Sequence, residues 1–481
     1  MDLSKKRILF YGFATYNHFF REVIKTLITE GYEARNIAVI FPNGQYRNFY
    51  KGILPQENIC YLYNNYNAVL DEVKRDGDLS VTRQSLPDNA FEILGADKEG
   101  FRSLPSARQL PYLEVIYRIY SDFLNQFKPD CIVFPDIEVV DGYLLYSIAR
   151  ARNIHVAYSF HLRNLGRSVL GEHIREQFPR YFGGITPQGA AQAETFYDLT
   201  HSDLPKATAF DPGWSDVSPV LPPKGNLFLR LFDAMILRMN KERHYRGEDH
   251  FYQKLRIVLL PILEPWRRFK YRSFVQPHMA IRSLNQLPEN FYLFALQVTP
   301  ESSINYLAPL YVDQIRALDE IRMALPPGSF LVVKEHPAII GFREGDFYRR
   351  INRMPGLILA DALLPMDKMA SKAQGIFTIT GTVGLECLFS KKFCYMFGEN
   401  FFASYLPNKR DYPDLKALLR SDLEKLMDEK QKAFIIDLPK IFSVSHPFIV
   451  ADPFSNKLVL NRNNVTAFIA ALKDHFQKLR V

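Results

Sequence analysis

The stretch Arg7-Ile8-Leu9-Phe10-Tyr11-Gly12 is a short apolar run that stops at a glycine, and apolar residues then recur at helical spacing from His18 to Glu30. Strand, tight turn and helix in that order open an α/β unit. Ala38-Val39-Ile40-Phe41-Pro42 reads as the next strand and Cys131-Ile132-Val133-Phe134 as another. A helix is expected from Gly142 to Arg152, and Ile154-His155-Val156-Ala157 reads as a strand after it. Strands that alternate with helices form a parallel sheet, because parallel neighbours need a crossover, and the crossovers cover both faces. A doubly wound first lobe is expected.

The pattern breaks near Ser218, at Pro219-Val220-Leu221-Pro222-Pro223-Lys224-Gly225, and restarts at Phe291-Tyr292-Leu293-Phe294-Ala295-Leu296. A helix from Val312 to Leu325 follows. Phe330-Leu331-Val332-Val333 is the uncharged run of a strand buried on both faces. Gly375 to Ile379 and Phe393 to Phe397 read as two more strands around a glycine-rich turn and a short helix. The apolar face of Asn464 to Leu479 marks a closing amphipathic helix. With 481 residues the chain is too long for one typical domain. We therefore expect a first α/β lobe over 1–215, a helical connecting segment over 216–285, a second α/β lobe over 286–460 and a closing helix over 461–481. Ligands of such folds bind at the carboxyl ends of the strands, here between the lobes.

Lys and Arg number 60 against 52 Asp and Glu, a formal charge of +8. Residues 224–272 alone hold 12 basic and 5 acidic residues, a net of +7, so the rest of the chain is nearly neutral. Such a distribution excludes a protein that coats nucleic acid along its length, and no nucleic-acid recognition motif accompanies the segment. Phe228, Trp266, Phe269 and Tyr271 lie among its cations. The segment suits a surface laid on anionic lipid, and equally a helical hairpin packed on the first lobe. Four cysteines without C-x-x-C spacing argue against a disulfide framework or structural zinc. No signal-peptide pattern and no run of ~18–20 apolar residues is found. The expected location is cytoplasmic, at most peripheral to a membrane.

In Val332-Val333-Lys334-Glu335-His336-Pro337 an apolar strand ends in a cation, an acid and an imidazole. Pro337 restricts His336 to extended backbone. At a strand's carboxyl end, Lys334 as a point charge and His336 as a hydrogen-bond donor suit a bound phosphate; the alternative is a strand end with solvated charges. Thr378-Ile379-Thr380-Gly381-Thr382-Val383-Gly384-Leu385-Glu386 runs from strand through a hydroxyl-rich turn into a helix. Amides at that helix start, with Thr380, Gly381 and Thr382, suit an anion, and Glu386 suits ribose hydroxyls; the alternative is a glycine needed only for a tight turn. Neither G-x-G-x-x-G nor the P-loop pattern is present. Phe134-Pro135-Asp136-Ile137-Glu138-Val139-Val140-Asp141-Gly142 puts three carboxylates at a strand end. Asp141 and then Glu138 are the candidate catalytic acids, with helix capping as the competing role, most of all for Asp136. Arg163 and Arg167 are candidates to pair with a carboxylate of donor or acceptor, and Asn17 and His18 are candidate acceptor contacts.

The order and spacing of Leu296-Gln297-Val298-Thr299-Pro300-Glu301, Lys334-Glu335-His336-Pro337 and Thr380-Gly381-Thr382-Val383-Gly384-Leu385-Glu386 resemble bacterial capsule polysaccharide biosynthesis proteins, which include the retaining β-Kdo transferases. The resemblance is best over Phe291 to Phe402 and takes in Asp313-Gln314 and Leu325-Pro326. It implies a GT-B fold of two Rossmann-like lobes with the nucleotide sugar in the second. Gln297 and Glu301 would then join the donor site. The His-Pro pair and the hydroxyl-rich turn are also similar to motifs of bacterial sialyltransferases, which points to a CMP-activated sugar, Kdo above others. Asp141-Gly142 resembles the acidic-Gly motif of those sialyltransferases, whose acid is a base, whereas a first-lobe aspartate of the Kdo enzymes is a nucleophile. Sugar transfer needs such a carboxylate in one role or the other. No Asp-x-Asp motif stands at a strand end, so no metal and no cofactor beyond the CMP-sugar co-substrate is expected. The expected partners are a nucleotide sugar, a glycan or glycolipid acceptor and, through 224–272, an anionic membrane surface. Rival readings are a UDP-sugar transferase or epimerase, a CDP-polyol phosphotransferase, and a non-catalytic glycan- or lipid-binding assembly factor.

Overall fold

The computed structural model describes residues 5–13, 15–42, 46, 48–62, 64–84, 86–96, 106–137, 139–162, 165–175, 184–202, 273, 276–299, 301–337, 343, 345–450 and 457–478. Its first sheet is built from β1 (Ile8–Tyr11), β2 (Ile37–Phe41), β3 (Ile59–Tyr61), β4 (Cys131–Phe134), β5 (His155–Leu162) and β6 (Arg167–Gly171). They lie in the order β3-β2-β1-β4-β5-β6, every pair parallel except the antiparallel β5–β6. β1, β2 and β4 are wholly buried. Because side chains alternate across a sheet, Leu9, Tyr11, Ile132 and Phe134 enter one core, beneath helices Ser106–Phe127 and Val140–Ala151. Ile8, Phe10, Cys131 and Val133 enter the other, beneath helix Tyr16–Thr29.

The second sheet holds β7 (Phe291–Ala295), β8 (Phe330–Lys334), β9 (Leu357–Ala360), β10 (Ile376–Thr378) and β11 (Cys394–Met396). Its order is β11-β10-β7-β8-β9 and every pair is parallel. Both sheets are thus α/β and doubly wound, as the alternation of strands and helices implies. Each has one place where the strand order reverses, between β1 and β4 in the first and between β7 and β10 in the second. Crevices form at the carboxyl ends of such strands.

The two lobes exchange chain. Helix Pro187–Ser202, inside the stretch expected to build the first lobe, packs on helix Leu423–Val444 of the second, with Phe196 5.6 Å from both Phe389 and Phe442. In return the chain reaches the first lobe already at His446, whose backbone pairs with Ser168 of β6, and not only at the closing helix. That helix, Arg462–Lys478, then buries Phe468 5.1 Å from Phe19. The basic segment 224–272 lies outside the described residues. Among the described helices none is long and apolar enough to cross a membrane.

Candidate functional site

The second sheet's reversal point is organised by Gln297, which follows β7. Its buried side-chain amide spans the gap to β10, 2.9 Å from the Thr378 hydroxyl and 2.9 Å from the Thr380 hydroxyl. With its carbonyl turned to the loop, Gln297 also accepts from the Thr380 and Gly381 amides. A Cβ at Gly381 would lie 2.5 Å from Thr378 Oγ1 and 2.9 Å from the Gln297 amide, so only glycine lets the turn close this tightly. Gln314, from the Asp313-Gln314 pair, fixes Gln297 from behind: its Nε2 donates to the Gln297 carbonyl at 2.8 Å and its Oε1 accepts the Gln297 amide at 3.0 Å. Thr382 then starts helix Val383–Ser390. Glu386, one turn in and half-buried, has its carboxyl raised by burial and further by Asp367. Glu301, half-buried, is the N-cap residue of helix Ser302–Leu307.

The end of β8 differs from expectation at Lys334. Its ammonium is 5 % exposed and donates to the carbonyls of Ala362 at 2.9 Å and Glu335 at 3.2 Å. Burial pulls it down to about 8, against Glu335 and Asp361. Lys334 therefore ties strand ends together here and is not an open point charge. Glu335 is fully buried and accepts from Arg343 Nε at 2.7 Å, the Tyr348 hydroxyl at 2.8 Å and the His336 amide at 2.6 Å. Arg343 also donates to the Gln297 carbonyl, joining the ends of β7 and β8. His336 is half-buried. Burial pushes its imidazole below the ordinary value, Glu335 opposes that, and Lys334 and Arg343 reinforce it, so at neutral pH it is a neutral donor or acceptor. Gln297, His336, Thr380 and Gly381 are thus assembled around one reversal point, together with Arg343, which sequence reasoning passed over. Its only signal was a cation shortly after the His-Pro pair.

In the first lobe the candidate acids differ in burial and partners. Asp141 lies in the first turn of helix Val140–Ala151 with 1 % of its surface exposed. The Tyr120 phenol of helix Ser106–Phe127 is pushed well up, by burial first and by the Asp141 carboxylate next. Gly142 follows because a Cβ there would lie 2.9 Å from the Tyr11 ring. The Asp141 carboxylate is thus buried within the lobe, and Gly142 allows the close approach of Tyr11 beside it. Glu138 and Arg163 lie outside the described residues.

Asp136 is the half-buried acid at the β4 end, beside the reversal point. Its Oδ1 accepts from the Ile137 amide at 2.6 Å, from the Tyr158 hydroxyl at 3.1 Å and, across the lobes, from the Tyr306 hydroxyl at 3.3 Å. Proximity to a helix start made capping its expected role, and no sequence pattern foretold the two phenols.

The remaining first-lobe candidates move into structural roles. Asn17 is fully buried: its Nδ2 donates to the Gly12 carbonyl at 2.8 Å and its Oδ1 accepts from the Tyr50 hydroxyl at 2.9 Å, which removes it from any acceptor surface. The half-buried His18 ring packs edge-on against Phe49 at 4.9 Å and Tyr46 at 5.6 Å. Arg167 donates to the Ser445 hydroxyl at 2.7 Å and to its carbonyl, so it anchors the returning chain.

Comparison with known proteins follows the second lobe. Residues 256–405 match the sequence profile of the family "Capsule polysaccharide biosynthesis protein", and the resemblance read over 291–402 falls inside that stretch. A search of curated proteins finds no match. Among solved structures, the β-Kdo 2,7 transferase of KpsC from Thermosulfurimonas dismutans aligns at 12% identity over 67% of this chain and 89% of its own, with a TM-score of 0.27. The β-Kdo 2,4 transferase of the same protein aligns at 16% identity over 62% and 77%, with a TM-score of 0.33. UDP-GlcNAc 2-epimerase from Methanocaldococcus jannaschii aligns at 11% identity over 88% and 91%, with a TM-score of 0.21. The fold assignment rests on the two sheets and not on these alignments. Through residues 256–405, which contain Gln297, Lys334 to His336 and Thr380 to Glu386, the chain carries the sequence signature of the capsule polysaccharide biosynthesis proteins.

Proposed function

We propose that the protein is a glycosyltransferase that moves a sugar, Kdo in the favoured reading, from a CMP-activated donor to a surface polysaccharide or lipid-linked glycan. The observation that carries this reading is the assembly around Gln297. It brings a tight hydroxyl-rich turn, a helix start, a neutral imidazole and a buried guanidinium to the reversal point of a parallel sheet, inside the stretch with the capsule signature. There the donor's phosphate would meet His336, Thr382 and the amides of Thr382 and Val383, with Glu386 toward the ribose. Lys334, Gln297 and Arg343 hold those groups in place. The helix start supplies positive potential toward the departing CMP, since Arg343 is neutralised by Glu335.

Asp136 replaces Asp141 as the reacting carboxylate. In one route it takes the proton of the acceptor hydroxyl while that oxygen bonds to the anomeric carbon and CMP leaves with the bonding electrons. In the other it attacks the anomeric carbon as CMP leaves with the bonding electrons, and in a second step the acceptor oxygen displaces the carboxylate, which takes up the hydroxyl proton as its bond to the sugar breaks. The anomeric configuration of the product distinguishes the two.

The test is a thermal-shift panel with CMP, CDP, UMP, UDP, GDP and ADP, followed by turnover of CMP-Kdo with release of CMP as readout. Stabilisation by CMP and slow donor hydrolysis are expected. Preference for UDP would replace the donor, and no response to any nucleotide would overturn the reading.

A further inference from the structure

Helix Ser302–Leu307 belongs to the second lobe by sequence, starting one residue after Glu301, yet it is embedded in the first. Asn305 is buried and donates to the Ala96 carbonyl at 3.2 Å. Arg175, on the loop after β6, donates through Nε to the Tyr306 carbonyl at 2.9 Å and is itself held by Glu92 at 2.6 Å and the Tyr143 hydroxyl at 3.2 Å. The Tyr306 ring packs within the first-lobe core, 6.5 Å from Tyr143. Its hydroxyl ends 2.9 Å from that of Tyr158 and 3.3 Å from Asp136 Oδ1, while Tyr158 is 3.1 Å from the same oxygen.

Three oxygens in mutual contact share only two phenolic protons when Asp136 is ionised. The two shorter contacts are satisfied by a relay in which Tyr306 donates to Tyr158 and Tyr158 to the carboxylate. In that relay Asp136 Oδ1 accepts from the Ile137 amide and from a Tyr158 hydroxyl that Tyr306 polarises, and such donors favour the carboxylate's charged form. We propose that Tyr306 is a positioning residue supplied by the donor lobe, which completes this relay and keeps Asp136 ionised and fixed for reaction. It stands on the segment that leaves Gln297, so the element shaping the nucleotide site also sets the state of the acid across the crevice. This inference rests on the assignment of Asp136 as the reacting carboxylate. Among the described residues, the titratable groups around the relay include Tyr158 on β5, Tyr306, Tyr143 on helix Val140–Ala151, Arg175, and Glu92 and Asp88 behind them.

The experiment compares wild type, Asp136→Asn, Tyr306→Phe and the double variant by thermal unfolding between pH 4 and pH 8, alongside the pH profile of CMP release. The stability that depends on Asp136 ionisation is the difference between each parent and its Asn variant. Its midpoint is expected about one pH unit higher in the Tyr306→Phe background, and the acidic limb of turnover is expected to move with it, while CMP affinity stays within about twofold. Tyr158→Phe, which keeps the ring in place, is expected to shift the midpoint in the same direction and serves if Tyr306→Phe does not fold. An unchanged midpoint in both phenylalanine backgrounds would overturn the relay whatever the turnover. A shifted midpoint without any CMP-sugar turnover would uphold the relay and count against the donor assignment instead.

Discussion

Removing the carboxylate of Glu335 tests whether the β8 end is held from within. Glu335→Ala would strip the Arg343 guanidinium, 8% exposed on its side chain, of its counter-charge and remove the carboxylate to which the Tyr348 hydroxyl and the His336 amide donate. Breaking one side of a buried ion pair costs about 3–5 kcal/mol. At 1.36 kcal/mol per tenfold this corresponds to roughly 10²–10⁴-fold faster opening of the strand. Glu335→Gln also removes the counter-charge but keeps the size and one acceptor oxygen, so a smaller loss of about 1.5–3 kcal/mol or roughly 10–10²-fold is expected. Hydrogen exchange of the β8 amides, Leu331 to Lys334, reads this opening locally and does not require the two lobes to unfold together. The expected order is wild type slowest, the Gln variant intermediate and the Ala variant fastest. Exchange in Glu335→Ala within about threefold of wild type, the range of an uninvolved surface change, would refute the inference that this acid organises the strand end.

Asp136→Asn is expected to lower turnover roughly 10²–10⁴-fold with nucleotide affinity intact. Asp141→Asn should lower it at least about tenfold less, and equal losses in steady-state kinetics would return Asp141 to the site. Gly381→Ala forces a methyl group into Thr378 and Gln297. Calorimetry should show CMP affinity falling by about tenfold or more, and undiminished binding would show that the turn does not touch the nucleotide. For Lys334 the folded-state value of about 8 lies below the ordinary 10.5. The burial penalty is therefore full below pH 8 and fades as pH rises toward 10.5, because there the unfolded chain binds more protons than the folded one. Relative to Lys334→Met, wild type should gain melting temperature between pH 8 and pH 10.5, and a difference that stays flat across that window would contradict the assignment.

The alternation of apolar runs and turns exposes both sheets in the sequence. Cys131–Phe134 appears with the expected bounds, because a strand buried on both faces has no polar residue to blur its ends. The antiparallel β6 and the short β9 escape notice, since Arg167 and Ser168 interrupt the one and Leu357–Ala360 is too brief to stand out from its surroundings. Within the site, His336 and the Thr380 turn are candidates by the rule that ligands meet carboxyl ends, whereas Gln297 enters only through the family resemblance. What is not legible is direction. Nothing local distinguishes Asp136 from Asp141, which lie five positions apart at one helix start. The difference arises from Tyr158 and Tyr306, distant in sequence, and from the Tyr11 ring that demands Gly142. Lys334 misleads for a similar reason, since the carbonyl of Ala362 that accepts its hydrogen bond belongs to another strand's exit.

The exchange of chain between the lobes bears on how the protein is made. A ribosome delivers residues in order, and an early domain commonly folds before the next emerges. Here Phe19 and Phe20 pack against Phe468, which in turn packs against Phe448, and β6, already paired with β5, gains a backbone partner at Ser168 only when His446 arrives. During synthesis the nascent first lobe therefore carries an open apolar flank until residues 446–478 have been delivered. Helix Pro187–Ser202 waits meanwhile for Leu423–Val444. A fragment ending near residue 215 would inherit both exposed surfaces permanently. Such a fragment is expected to seek chaperones or to aggregate, so the boundary that looks natural for cutting the gene is the wrong one.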